Sequence, residues 1–127
     1  MGQAVTNKKI ILVDFDGVLH SYTSGWQGAD VVGDPHVNGA IQWLREMLAD
    51  ARFDVQIYSS RSRQDGGIRA MKEALIRWGL PVEQVDAIPF PTQKPAAFLT
   101  IDDRAYCFNG IFPHPNAIDN FKPWNKP

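Results

Sequence analysis

The chain has 127 residues, 44% of them hydrophobic, enough to bury one ordinary core with little left for a second. Thirteen Lys and Arg against fourteen Asp and Glu leave a net charge of -1, without the basic excess that extended nucleic-acid binding or an anionic membrane surface calls for. The single cysteine, Cys107, excludes an intrachain disulfide and a cysteine-rich zinc site, and the three histidines lack a zinc-ligand spacing.

Residues 1–9 are polar and short, and the apolar run that follows carries Asp14 and Asp16. This reads as neither a signal peptide nor a membrane span, so a cytoplasmic location is expected. Residues 9–14 are continuously apolar and β-branched up to Asp14, as in a strand buried on both faces of a parallel sheet. Between His20 and His36, Gly25, Gly28, Gly33 and Pro35 break any period and predict a loop or small flap. Val37, Ala40, Ile41, Leu44, Met47 and Leu48 then recur at helical spacing and predict an amphipathic helix over 37–50.

The alternating segment 53–58, FDVQIY, predicts a second strand that runs into the polar cluster Ser59, Ser60, Arg61, Ser62, Arg63. Ile68, Met71, Leu75 and Trp78 predict a helix over 67–78, closed by Gly79 and Pro81. Residues 85–88 read as a short strand, and Pro89, Pro91 and Pro95 as a connection. The apolar run 96–101, AAFLTI, predicts a further strand ending in Asp102 and Asp103. The core is expected over about 9–110 of a single domain, and the Pro-rich tail over about 111–127 is expected to be irregular.

Strands alternating with helices at this spacing predict an α/β fold with a parallel sheet and helices on both faces. Ligands in such sheets bind beyond the C-terminal strand ends, where this sequence puts Asp14 and Asp16, Ser59 and Ser60, and Asp102 and Asp103. Each of these alone has an ordinary explanation: Asp-x-Asp-Gly as a turn, Ser59 as a helix cap, Asp102 as a turn residue, Lys94 as a solvated loop lysine. Together they make an all-oxygen cluster that repels itself unless a hard cation such as Mg²⁺ is bound.

That cluster suits attack by a carboxylate, Asp14, on phosphorus, with Asp16 as acid and base. Phosphoryl oxygens would be met by Ser59, Lys94 and backbone N–H groups around Gly17. Ser60 is the alternative to Ser59 if the register differs by one. Arg61 and Arg63 are candidates to grip phosphate, with surface ion pairing as their other explanation.

In these residues the chain resembles the haloacid-dehalogenase-like superfamily: 10–19, IILVDFDGVL, is similar to its first motif, 55–59, VQIYS, to its second, Lys94 to its third, and 99–103, LTIDD, to its fourth. The resemblance implies a Rossmann-like three-layer fold and Mg²⁺-dependent phosphomonoester hydrolysis through an aspartyl-phosphate. It implies Asp14 as nucleophile and metal ligand, and Asp16 as acid and base that also offers a backbone carbonyl to Mg²⁺. Asp102 is implied as the remaining ligand, with Asp103 as its neighbour and substitute. The intervals between Asp16 and Ser59, and between Ser59 and Lys94, are largely committed to helix and strand, which implies a capless member acting on a large phosphorylated substrate or on a small one enclosed by a second subunit. The chain departs from the pattern at Val18, where phosphatase members commonly carry Thr. Phosphoryl transfer or trimming of nucleic-acid ends, within the same fold, and a non-catalytic phosphate-binding regulator are the competing readings.

Overall fold

A computed structural model describes residues 7–126. The chain forms β1 (Lys9–Val13), α1 (Ala40–Ala49), β2 (Phe53–Ile57), a 3₁₀ turn (Ser60–Arg63), α2 (Gly67–Arg77), α3 (Val82–Ala87), β3 (Leu99–Ile101) and α4 (Pro115–Asp119). The strands make one parallel sheet in the order β2-β1-β3, with Val13 opposite both Ile57 and Ile101. This is an α/β fold, and all three strands end at the same edge.

The central strand behaves as its composition requires. Ile11, Leu12 and Val13 are all buried, whereas β2 alternates, burying Val55 and Ile57. Ile11, Val13, Val55 and Ile57 join Leu44 of α1, Met71 and Leu75 of α2, and Val85 and Ile88 in one core. β3 is an edge strand with Leu99 and Thr100 exposed.

Four boundaries differ from the expectation. Residues 85–88 are not a strand: α3 covers Val82–Ala87, with the Val85 N–H on the Pro81 carbonyl, and the two buried positions, Val85 and Ile88, stand three apart as on one helix face. α1 begins at Ala40 rather than Val37, because the Val37 N–H is spent on the Leu19 carbonyl and Gly39 turns through φ +82°. β3 is shorter than 96–101; Pro95 offers no N–H, and pairing opens only with the Phe98 N–H on the Ile10 carbonyl. The tail contains the short α4, whose His114 ring accepts from the Asn116 N–H.

The flap between β1 and α1 is tied down by single bridges, Asp16 to His20 and His20 to His36. Trp78 closes α2 beneath it, stacked on Phe15 and His20. No helix among the described residues is long and apolar enough to cross a membrane.

Candidate active site and carboxylate cluster

The chain leaves β1 toward β2 on one side and returns to β3 on the other, so the crevice beyond β1 and β3 lies at a switch in strand order. Asp14 follows β1 directly, and Asp102 and Asp103 follow β3; the Asp14 N–H on the Ile101 carbonyl, 3.0 Å, carries the pairing past the strand ends. Carboxylate oxygens of Asp14, Asp102 and Asp103 come within 4.8 Å of one another. Oxygens on a single Mg²⁺ stand about 3 to 4 Å apart, so the three need only a small closure to share one ion.

Burial pushes the Asp14 carboxyl up to about 7; the charges of Asp102, Asp103 and Asp16 push the same way, against the Phe15 N–H that donates to Asp14 Oδ1 at 2.8 Å. Asp103 is raised as well, first by burial and then by Asp102. A cluster of hard oxygen donors that resists ionising together fits a divalent cation.

A pocket of about 260 Å³ opens at this edge, walled by Leu12, Asp14, Tyr58, Ser59, Ser60, Lys94, Thr100, Asp102 and Arg104. Five of the sequence candidates therefore share it: Asp14, Ser59, Ser60, Lys94 and Asp102. Ser59 also caps the 3₁₀ turn, its Oγ accepting from the Arg61 N–H at 3.1 Å while the Ser62 hydroxyl accepts from the Ser59 N–H. Both explanations of Ser59 hold at once, because accepting the cap bond leaves its hydroxyl proton free to donate. Asp102 likewise accepts from the Arg104 N–H at 2.8 Å, in a turn that leaves its other oxygen for the cluster.

The remaining candidates lie elsewhere. Asp16 does not line the pocket: its Oδ2 accepts from Arg61 Nε at 2.9 Å, and its Oδ1 from Arg61 Nη2 at 3.0 Å and from the His20 Nδ1 side at 2.8 Å. Burial raises the Asp16 carboxyl, but the hydrogen bonds and charges of His20 and Arg61 outweigh it and hold it below the usual carboxylate range. His20 Nε2 accepts from the Asp34 N–H, which leaves Nδ1 to donate to Asp16.

Arg61 is not a phosphate grip. It is 0% exposed, and beyond Asp16 its Nη1 donates to the carbonyls of Gly28, Ala29 and Val31, the flap's own backbone. Arg63 is exposed and faces a separate hollow with Gln64, Asp65 and Thr92. Gly17 is no phosphoryl donor either: its N–H is used on the His20 carbonyl, at 2.8 Å. A glycine is needed there, since φ is +83° and a Cβ would overlap the Asp103 carboxylate. Val18 packs against the core beside Leu19.

No family model, curated protein or solved structure matches the chain.

Tyr58, Thr100 and Arg104 belong to the pocket and were not singled out in the sequence. A period-two count from Leu12 and Asp14, carried across the strand register to Thr100 and Asp102, identifies one of them. The buried Asp16–Arg61–His20 unit was missed for a different reason. His20 stands one helical turn's spacing from Asp16, but Arg61 is brought to them only by the pairing of β1 with β2.

Proposed function

We propose that the chain is a Mg²⁺-dependent phosphomonoester hydrolase of the haloacid-dehalogenase-like type, acting through an aspartyl-phosphate on Asp14. The observation that carries this reading is the convergence of Asp14, Asp102 and Asp103 oxygens within 4.8 Å at a pocket that also holds Ser59 and Lys94. The same reading extends the α/β fold to a Rossmann-like three-layer sandwich, supported by a central strand with no exposed side from Ile11 to Val13.

Bound at the cluster, Mg²⁺ supplies the positive charge that lets Asp14 ionise near neutral pH and that polarises the phosphoryl oxygens. An Asp14 oxygen attacks phosphorus, the phosphorus–oxygen bond to the leaving group breaks, and the phosphoryl group passes to the carboxylate. The Ser59 hydroxyl and the Lys94 ammonium meet the charge spread over its outer oxygens. Water then attacks phosphorus, releasing inorganic phosphate and the Asp14 carboxylate.

To take the proton from that water in the second step, Asp16, which lies outside the pocket with both oxygens on Arg61 and His20, must first release one of those bonds. Its pairing with Arg61 and His20 keeps it ionised, which suits a base and opposes donation to the leaving group in the first step. Aryl phosphates, whose leaving groups need no proton, are therefore expected to turn over well ahead of alkyl phosphates; equal rates for the two would contradict this division.

The exposed Lys94, Ser60 and Arg104 on the pocket walls favour, as a second reading of the same chemistry, the phosphorylated end of a larger molecule, nucleic-acid termini included. A reducing compartment such as the cytoplasm suits the free, exposed Cys107. The test is phosphate release from an aryl phosphate with Mg²⁺ or chelator, by the parent and by Asp14→Asn. Loss of turnover in the variant by about three orders of magnitude or more is expected for a nucleophile. Equal rates, or none on a broad phosphoester panel, would sink the assignment and leave a non-catalytic phosphate-binding protein.

A further inference from the structure

The chain beyond β3 is thinly attached. Among residues 104–126 only Pro123 is buried, and α4 has no buried side chain. That one anchored stretch does not sit on the core; it sits on the loop that follows the nucleophile. Trp124 Nε1–H donates to the Gly17 carbonyl at 2.7 Å, and Asn125 Nδ2–H donates to the Ser21 carbonyl at 3.0 Å.

These two carbonyls flank the turn that the Gly17 N–H closes on the His20 carbonyl, so the tail grips both ends of one short loop. The next residue, Tyr22, stands at φ +60°, the only described non-glycine residue with positive φ. That conformation costs about 1 to 2 kcal/mol and persists where surrounding contacts impose it. Ser21 Oγ and Asn125 Oδ1 are shielded from solvent at the same seam without a partner among the described residues, a hydroxyl donor and an amide acceptor of complementary kind. On its other side Gly17 lies directly against the Asp103 carboxylate, where a Cβ would overlap it. A shift of Gly17 therefore changes the room that Asp103 occupies.

We propose that residues 123–125 form a strap that positions the loop 17–22 and, through Gly17, the Asp103 carboxylate, with Trp124 as a positioning residue for the cation cluster. The metal part of this inference rests on the proposed reading of the cluster, while the loop part stands on the contacts alone. Simple apolar coverage by the tail makes a different forecast. Trp124 is 63% exposed, so Trp124→Phe gives up little buried area and loses chiefly the indole N–H.

The experiment compares the full-length parent, Trp124→Phe and Asn125→Ala. Amide hydrogen exchange is followed along the chain in chelator, and Mn²⁺ binding is followed by electron paramagnetic resonance. In Trp124→Phe, exchange at 17–22 is expected to quicken about five- to tenfold, the worth of one lost hydrogen bond, with Mn²⁺ affinity weakened by a similar factor. Asn125→Ala is expected to act on the same residues. Exchange at 17–22 unchanged in both variants overturns the strap, as does acceleration spread evenly over the chain. Localised acceleration in a protein whose parent binds no Mn²⁺ supports the strap and overturns the metal reading instead.

Discussion

Asp14 keeps its proton up to about pH 7 because its carboxyl is buried among three other acidic groups, and this has a consequence for stability. Its folded-state value lies above the 3.8 of an ordinary aspartate, so between the two the native chain binds a proton that the unfolded chain has released. Stability without metal must therefore fall as pH rises through that interval, and the raised Asp103 adds to the same slope. Asp16 acts in the opposite sense at lower pH. Its stabilising pair with Arg61 is lost as pH falls through its depressed value. Urea midpoints measured in chelator are expected to fall from about pH 4 to about pH 7, to flatten in Asp14→Asn, and to recover with Mg²⁺ by mass action. A slope unchanged in Asp14→Asn would show that Asp14 is not its source.

At the scale of elements, the joint that matters is between β2 and the flap. Arg61 leaves the 3₁₀ turn, pairs with Asp16 at the end of β1, and fills the concavity made by three flap carbonyls, with Trp26 5.0 Å above its guanidinium. Truncation would strand a mostly buried carboxylate and three acceptors together. Arg61→Ala is therefore expected to cost about 3 to 5 kcal/mol in urea unfolding and to release exchange protection at 28–31, whereas loss of turnover with stability intact would restore a direct phosphate contact. Gly67 makes a comparable joint on the other side of Arg61. A Cβ there would overlap the Arg61 carbonyl, so Gly67→Ala is expected to displace the start of α2 and lower the thermal midpoint, although Ala is the better helix former.

Across the whole molecule, most of the exposed large apolar side chains lie from Phe98 onward. The core gathers around β1, while Phe98, Leu99, Tyr106, Phe108, Ile111 and Phe112 are exposed on the β3 edge and the chain after it. Surface of that kind drives association. Concentration-dependent self-association is expected in sedimentation velocity, weakened by Phe112→Ser, a position 84% exposed and outside the pocket. Sedimentation that is unaffected by concentration and by the substitution would remove that expectation.

Much of this was legible in the linear chain because strand periodicity and strand ends are local properties. The continuous apolar run up to Asp14 and the alternation in 53–58 announced β1 and β2, and Asp14, Ser59, Ser60 and Asp102, placed after the strands, meet in one pocket because parallel strands end at one edge. α3 was misread because its one buried position, Val85, with Ile88 just beyond its end, is too little to show a period. What only the tertiary structure decided are the partners of charges far apart in sequence. Arg61 and Asp16 are equally plausible as free site groups until strand pairing sets them side by side in a low-dielectric interior, where each consumes the other's hydrogen-bonding capacity. Trp124 carries no local sign that its indole will close on Gly17. Residue types and local spacing determine which chemistry is available; packing decides which groups are left free to perform it.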